Sequence, residues 1–287
     1  NLELSPKWIS TFHSLCVKML RIHGHLIGFN NNFTIYDQSD STKLVRNCMR
    51  DSDIDTKQYS PKRIQAHISS LKNQRILPGE AVEFAQSFFD VKVAEIYSSY
   101  QKKLMLANSM DFDDLLIKAV ELLETSDKSL NYWSSKFQYI MIDEYQDTKE
   151  IQYNIISSIL KAGNGESKTL IVGDPNQSIY DSLGGYPMPK EELEKLLGFS
   201  LIQNSLSKNY RSSEKIINYF EHFKTFDNEI SSNSSDKNYP SNITFNSTIS
   251  VENIIEEISK LILFNINKES ILPNEICIVA PQWVHLA

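Results

Sequence analysis

Residues 139–148 read Tyr-Ile-Met-Ile-Asp-Glu-Tyr-Gln-Asp-Thr and give the clearest indication of the fold. A short apolar run that ends abruptly in charge is typical of a buried strand in a parallel sheet. Ligands of such sheets bind beyond the carboxyl ends of the strands, where Asp143 and Glu144 fall. Two adjacent carboxylates there suit nucleotide hydrolysis, because one can hold Mg²⁺ and the other can orient or deprotonate the attacking water. Acids also cap helices, and a helical pattern begins at Glu150, so the pair alone leaves both interpretations open.

A second apolar run, residues 170–172, ends in the turn Gly-Asp-Pro-Asn-Gln-Ser-Ile-Tyr at residues 173–180. Between the two runs, a helical pattern covers about residues 150–161 and stops at Gly163. A strand, a helix and a strand in this order place both carboxyl ends at the same edge of the sheet. Asp143, Glu144 and Gln177 are therefore predicted to face one pocket. Taken alone, the polar residues of the second turn are better explained as ordinary turn formers.

The third informative segment, residues 206–213, reads Leu-Ser-Lys-Asn-Tyr-Arg-Ser-Ser and leads into a helical pattern at 214–220. Ser212 or Ser213 is a candidate N-cap for that helix. Arg211 precedes the helix start, where a guanidinium can contact phosphate, and Tyr210 offers a ring face on which a base can stack. A single Tyr-Arg pair is more often a surface or packing feature.

Taken together, these segments resemble the superfamily 1 DNA helicases of the UvrD, Rep and PcrA type. Residues 143–148 are similar to the family's Walker B motif, residues 173–180 to its motif III, and residues 206–212 to its motif IV. Two upstream elements also match, Thr-Phe-His-Ser-Leu-Cys at residues 11–16 and Asp-Phe-Asp-Asp-Leu-Leu at residues 111–116. Five motifs in the family's order make the resemblance specific. The chain after Phe220 resembles the family only in layout.

The resemblance implies an ATP-dependent DNA helicase of DNA repair or replication, which moves 3′ to 5′ on single-stranded DNA and unwinds duplex at junctions. It implies ATP and Mg²⁺ as cofactors, with Asp143 holding the metal, Glu144 as the catalytic base and Gln177 contacting the γ-phosphate. Arg211 would act as an arginine finger, and Tyr210 would stack on the adenine. The residues implied in DNA contact are Thr11, Phe12, His13 and Tyr180. A motor subunit of a recombination nuclease of the RecB or AddA kind is a close variant.

Two departures from the family pattern qualify this expectation. After Tyr180 the family has Gly, an aromatic residue, Arg and Gly, whereas residues 181–185 here read Asp-Ser-Leu-Gly-Gly. Because base stacking is worth about 1–3 kcal/mol per base, Ser182 and Leu183 predict a weaker hold on DNA. This keeps open a second class, a helicase-derived DNA-binding or scaffold protein with weak or no ATPase activity. A third class, a metal-dependent phosphohydrolase, would need further metal ligands, and the sequence offers no convincing set.

The second departure is the Gly-rich phosphate loop, which should precede Thr11, where too few residues stand to contain it. Residues 162–169 are no substitute, because Ser167 stands where the loop needs Gly and the segment precedes a strand. We therefore expect an internal fragment of a longer motor that does not turn over ATP by itself.

The expected fold class is α/β, with a partial RecA-like parallel sheet of the P-loop NTPase kind, an all-helical inserted subdomain and the start of a second RecA-like domain. We expect residues 1–13 to end a segment of motor domain 1A, 14–110 to form a helical subdomain like 1B, 111–205 to complete domain 1A, and 206–287 to begin domain 2A. Asp111 is the expected N-cap of the next helix, and Asp113 and Asp114 are expected to be structural. Helical patterns cover residues 43–49, 61–71, 80–106 and 251–265. Strands are predicted at residues 139–143 and 276–279. A long loop is predicted at residues 227–250, with a short strand near 243–245.

Composition sets wider bounds. The 287 residues are 41% hydrophobic and carry a net charge of −7, which allows more than one domain and argues against a generally basic nucleic-acid coat. The absence of a signal peptide and of a bilayer-length apolar run predicts an intracellular protein, in the nucleus or mitochondrion of a eukaryote such as a fungus, or in the cytoplasm of a bacterium. Three widely spaced cysteines predict core thiols without a metal site: Cys16, Cys48 and Cys277. Lys62, Arg63, Lys72 and Arg75 form a candidate basic face, although such charges are more often a solvated helix face.

Overall fold

The computed structural model describes residues 8–163, 167–179, 185–224, 233–234, 243 and 253–279. The chain divides into two compact units, residues 1–204 and residues 205–287. Most of the predicted loop at 227–250, with its strand near 243–245, lies outside the described residues, as do Tyr180, Ser182 and Leu183.

The first unit is mixed helix and strand. Its helices are α1 (Phe12–His23), α2 (Gln38–Asp51), α3 (Pro61–Asn73), α4 (Phe88–Leu106), α5 (Phe112–Thr125), α6 (Asp127–Lys136), α7 (Glu150–Ala162) and α8 (Lys190–Leu197). Its strands are β1 (Thr34–Ile35), β2 (Ser109–Met110), β3 (Tyr139–Ile142) and β4 (Lys168–Ile171). The second unit contains β5 (Lys208–Asn209), α9 (Glu214–Glu221), β6 (Asn233–Ser234) and α10 (Ile254–Lys268). The strands pair in parallel as β1 with β2, β3 with β4 and β5 with β6.

The crossover from β3 through α7 to β4 forms as predicted. The two strands are parallel and in register from Tyr139 opposite Lys168 to Ile142 opposite Ile171. Helix α7 ends at Ala162 with Gly163 as its C-cap. The carboxyl ends of the two strands therefore lie side by side, which is the geometry that the strand-end acids require.

The prediction of a buried strand holds for only one face of β3. Successive side chains of a strand point to opposite faces, and only one face of the β3–β4 pair packs against α7 and α8 in a shared apolar core. On the other face, Met141 is 74% exposed and its pairing partner Leu170 is 54% exposed. The apolar run is thus continuous in sequence while one of its faces is open in the described part of the chain.

Helices α2, α3 and α4 enclose an apolar core of their own, separate from the core shared by α1, α5, α6 and α7. The predicted helix over residues 80–106 begins only at Phe88. The reason is local, because the Ser87 side chain caps the helix by accepting the backbone N–H of Asp90 at 3.2 Å. Residues 80–84 form turns before that cap.

Two expectations from composition need correction. Lys72 does not belong to a solvated basic face, because its side chain is 1% exposed and is paired with two carboxylates. Cys16 and Cys48 are core thiols, whereas Cys277 is exposed.

The predicted strand at 276–279 is also wrong. Ile276 has an extended backbone (φ −105°, ψ 126°), but within the described residues the segment pairs with no other strand.

The start of α5 follows the prediction closely. Asp111 is its N-cap and accepts the backbone N–H of Asp114 at 2.8 Å, while the Asp114 side chain accepts the backbone N–H of Asp111 at 3.3 Å. This reciprocal capping box satisfies two of the free N–H groups at the helix start. In the described ranges, no helix is long and apolar enough to cross a membrane.

Candidate functional site

The turn that follows β3 holds the two predicted acids in a strained backbone. Glu144 has φ 52° and ψ 48°, which is the left-handed region that side-chain-bearing residues rarely adopt. Its backbone N–H donates to Asp143 Oδ1 at 3.0 Å. Such a conformation costs about 1–3 kcal/mol and is found preferentially at functional sites. Both carboxylates are exposed beyond the strand end.

The alternative that these acids cap the following helix does not describe the structure. Helix α7 has Lys149 as its N-cap, and the Lys149 backbone N–H donates to the Gln152 side chain at 2.8 Å. A short 3₁₀ turn, Tyr145–Asp147, separates Glu144 from this helix start, and the Glu144 side chain makes no capping bond to that turn. The acids are therefore available for another role.

Gln146 fixes the orientation of the Glu144 carboxylate. Its side chain is buried, and its Nε2 donates to Glu144 Oε2 at 2.6 Å. Its Oε1 accepts the backbone N–H of Asp174 at 3.1 Å. One amide thus joins the turn after β3 to the turn after β4. The sequence contained a signal for this role only in the position of Gln146 between two acids at a strand end.

Gln177 lies at the end of the 3₁₀ turn Pro175–Gln177, directly after β4. Its Nε2 donates to Asp174 Oδ2 at 3.0 Å, and the other oxygen of Asp174 accepts the backbone N–H of Asn176 at 2.9 Å. The structure thus brings Glu144 and Gln177 to one sheet edge, linked through Gln146 and Asp174. The exposed amide of Gln177 is free to turn toward a ligand by breaking one surface hydrogen bond.

Gly173 permits the two strand-end turns to approach closely. A Cβ atom at this position would lie 2.6 Å from Tyr145 Cδ1 and 2.9 Å from the Tyr145 backbone nitrogen. The same Tyr145 nitrogen donates to the carbonyl of Val172 at 3.1 Å. Burial, and then the charge of Asp174, raise the pKa of the Tyr145 hydroxyl. Tyr145 is therefore a neutral packing group between the turns, and only glycine fits beside it.

The predicted DNA-contact residues lie at the start of α1. Thr11 is the N-cap, and its Oγ1 accepts the backbone N–H of Ser14 at 3.3 Å. Phe12 is half-buried and packs against two apolar cores, so its ring is largely committed to the fold. His13 is half-buried and its ring lies edge-on to Phe112 at 5.9 Å between centroids. Of the three, His13 and Thr11 retain polar atoms that a nucleic acid could reach.

His13 is held neutral by its surroundings. Burial lowers its pKa most, the positive charge of Lys149 lowers it further, and the negative charge of Asp113 opposes both. These groups come from the starts of two other helices, α7 and α5. A neutral imidazole offers one donor and one acceptor at pH 7.

Tyr210 and Arg211 belong to the second unit. Tyr210 is 77% exposed, and the ammonium of Lys208 lies 5.3 Å from its ring centroid. The turn is shaped by Asn209, whose Oδ1 accepts the backbone N–H groups of Arg211 and Ser212, both at 2.9 Å. Ser213 is the N-cap of α9, as one of the two predicted candidates. The exposed Tyr210 ring fits a stacking role, and Asn209 is a shaping residue that the sequence alone did not single out.

The strand-end acids also fit the predicted metal. Asp143 presents an exposed carboxylate, and Mg²⁺ is typically held by one or two carboxylates together with phosphates and water. Within the described ranges, no group of three or more His, Cys, Asp or Glu side chains could hold a metal ion.

Comparison with known proteins gives a consistent result. Residues 1–195 match the UvrD/REP helicase N-terminal domain. The chain is 35% identical over 221 residues to the ATP-dependent DNA helicase PcrA of Staphylococcus epidermidis. The aligned residues make up 75% of this chain and 29% of that protein. It is 36% identical over 217 residues to the protein of the same name in Staphylococcus aureus, which covers 74% of this chain and 28% of that protein. The chain therefore spans less than a third of the length of these relatives.

Proposed function

Because the chain belongs to the UvrD/Rep helicase family, we propose that it works in an ATP-driven motor that moves along single-stranded DNA and unwinds duplex at junctions. The observation that carries this proposal is the pair of strand-end turns. They place Glu144 and Gln177 on one hydrogen-bonded edge, with the Asp143 carboxylate exposed beside them. A 3′ to 5′ direction is part of the proposal and rests on the resemblance alone.

The roles of the side chains follow from their surroundings. Asp143 would hold Mg²⁺, which when bound neutralises charge on the phosphates. Glu144 would accept a hydrogen bond from the attacking water and orient it, because Gln146 fixes its carboxylate by one oxygen. Gln177 would donate its amide to the γ-phosphate. Positioning and charge compensation of this kind are the main contributions that phosphoryl transfer needs from a protein.

The remaining assignments are proposals of the same kind. The β3–α7–β4 unit would belong to a RecA-like domain, with α2, α3 and α4 as its inserted helical subdomain and the second unit as the start of a second RecA-like domain. Arg211 and Tyr210 would reach the nucleotide from that second domain. Single-stranded DNA would contact Thr11, Phe12, His13 and Tyr180. Such a motor would act inside the cell, wherever its DNA is found.

Steady-state ATP hydrolysis by the full-length protein, with and without an oligo(dT) strand, tests the proposal. We expect DNA to stimulate the wild type, and Glu144→Gln to reduce turnover roughly 100-fold or more while ATP binding persists. Glu150→Gln is the matched control, because Glu150 is an exposed acid in the first turn of α7, beyond the strand-end turn. Near-normal turnover in Glu144→Gln would refute the assignment of the base. Binding of DNA without hydrolysis in the wild type would favour the scaffold alternative, to which the sequence at residues 181–185 already points.

A further inference from the structure

A buried cluster of charges joins the inserted helices to the start of α5. The Lys72 ammonium, on α3, lies 2.7 Å from Asp111 Oδ2 and 2.8 Å from Asp114 Oδ1. From α4, the Tyr100 hydroxyl donates to Asp111 Oδ2 at 2.8 Å, and Gln101 Nε2 donates to Asp114 Oδ1 at 3.1 Å. Three helices thus meet at one ammonium and two carboxylates, all of them buried.

Stability alone is a weak explanation for this cluster. Replacing buried ion pairs by apolar side chains of similar volume is often neutral or stabilising, because taking charges out of water is costly. Here two carboxylates share one ammonium. Burial raises the pKa of Asp114 to about 6 despite Lys72, while for Asp111 the attraction and hydrogen bonds of Lys72 and Tyr100 outweigh burial and lower the pKa. The two ion pairs of Lys72 and the hydrogen bonds from Tyr100 and Gln101 are made together in this one arrangement of the three helices.

The first turn of α5 connects the charged cluster to His13, one of the predicted DNA-contact residues at the start of α1. Between Asp111 and Asp114, the first turn of α5 carries Phe112, whose ring contacts His13 edge-on. It also carries Asp113, whose Oδ1 accepts the Asn73 side chain from the end of α3 at 3.3 Å. The inserted helices therefore reach His13 through the first turn of α5, in two contacts.

We propose that Lys72 is a positioning residue for the single-stranded-DNA contact: by neutralising Asp111 and Asp114 it fixes the first turn of α5, which through Phe112 and Asp113 holds His13 in place. This inference rests on the proposed function for its DNA part, and on geometry alone for its effect on His13. In consequence, a change in the position of α3 and α4 would also change the position of His13.

The pKa of His13 depends on whether the first turn of α5 keeps its contact with the His13 ring. The groups that face it are Asp113 and Phe112 from α5 and Lys149 from the start of α7. Asp113 is the member of this set that raises the pKa of His13. If the first turn of α5 moves away when its ammonium is removed, the pKa of His13 shifts, because that turn carries both Asp113, which raises this pKa, and Phe112, which packs against the ring. A residue that merely stabilises the fold at a distance would leave that pKa unchanged.

The test compares Lys72→Met with Arg75→Met in the full-length protein. Arg75 is the matched control, because its guanidinium bonds Glu124 of the same helix α5 at 2.9 Å, yet both side chains are 47% exposed and far along the helix from Asp111. The pKa of His13 is measured by NMR of ¹³C-histidine-labelled protein, with the resonance assigned by His13→Gln. Affinity for a fluorescent oligo(dT) strand is measured alongside. For Lys72→Met we expect a shifted pKa of His13 and an affinity reduced roughly 2- to 30-fold, and for Arg75→Met neither change.

Two further variants, Lys72→Arg and Asp114→Asn, test the proposal even if Lys72→Met does not fold. Lys72→Arg retains the charge and should restore most of the wild-type affinity and His13 titration. If Lys72→Met does not fold, Asp114→Asn takes its place, and a smaller change in the same direction is expected because the Lys72–Asp111 pair remains. A folded Lys72→Met or Asp114→Asn protein with wild-type His13 titration and affinity would overturn the proposal. If the wild type binds no single-stranded DNA, the proposed function fails, whereas the His13 titration still decides the positioning role.

Discussion

Removing the buried ammonium should destabilise the fold in a pH-dependent way. Deleting one partner of a buried ion pair costs about 3–5 kcal/mol, because the remaining charge is left without compensation. In Lys72→Met, Asp111 and Asp114 would both be left buried, one beside the other. We therefore expect a loss of roughly 3–5 kcal/mol in the free energy of unfolding at pH 7.5.

The loss should shrink on acidification. Without Lys72, burial and mutual repulsion raise the folded-state pKa of both carboxyl groups, so the folded state takes up protons before the unfolded state does. Stability is then gained as the pH falls from the raised pKa toward the unfolded value near 3.8. Of the two carboxyl groups paired with Lys72 in the wild type, Asp114 has a raised pKa of about 6, whereas the lowered pKa of Asp111 keeps it charged at pH 5. At 1.4 kcal/mol per pKa unit, the difference between the two proteins should narrow by about 1–3 kcal/mol between pH 7.5 and pH 5.0.

Urea unfolding at the two pH values, followed by circular dichroism, measures both quantities. The control is Arg75→Met, whose exposed pair with Glu124 should contribute about 0–1 kcal/mol with little pH dependence. The reasoning is refuted if Lys72→Met is no more destabilised than Arg75→Met, or if its deficit is the same at pH 5.0 as at pH 7.5.

Two further predictions concern the strand-end turns and the thiols. Gly173→Ala should lower the free energy of unfolding by roughly 1–3 kcal/mol, because the added methyl collides with Tyr145, whereas Gly79→Ala, with nothing within 4 Å, should change it by less than about 1 kcal/mol. Thermal unfolding of the two variants decides this, and equal effects would contradict the close approach at Gly173. With a thiol reagent at pH 8, the exposed Cys277 should react first in the native protein, because burial raises the pKa of Cys16 to about 12 and also raises that of Cys48. Cys277→Ser should abolish the fast phase, and fast labelling of Cys16 or Cys48 would show that the cores open readily.

Local signals in the sequence predicted the local structure well. The helix α7 between its two strands and the N-cap role of Asp111 were visible because each depends on residues within one turn or one period of each other. The strand predicted at 276–279 failed because a strand needs a partner, and no property of the segment itself supplies one. The open face of β3 escaped prediction for the same reason, since an apolar run shows which side chains could be buried but not what covers them.

The burial of Lys72 could have been anticipated. It stands among Lys62, Arg63 and Arg75, which made a solvated face the natural interpretation. Yet the spacing of four that links Ile64, Ile68 and Lys72 puts the lysine on the apolar face of α3, and all three are buried. The pairing itself could not be predicted, because the partner carboxylates lie 39 and 42 residues away along the chain. A lysine in register with buried isoleucines is thus a signal of a buried ion pair, even when its partners cannot be named.

The turn after β3 shows how the Glu144 carboxylate keeps its orientation although the backbone of Glu144 is strained. Glycine at position 144 would relieve the left-handed backbone of Glu144 but would remove the group that Gln146 binds at 2.6 Å. Gln146 is buried and is fixed at its other end by the backbone of Asp174, so a Glu144 carboxylate that turned away would leave a buried donor unpaired, at about 1–3 kcal/mol. That penalty is comparable to the strain of the left-handed backbone, about 1–3 kcal/mol, so the hydrogen bond from Gln146 can offset the strain and keep the carboxylate in one orientation. A carboxylate oriented before substrate arrives needs no reorganisation during the reaction, which is the condition that favours Glu144, rather than the more loosely held Asp143, as the group that orients water.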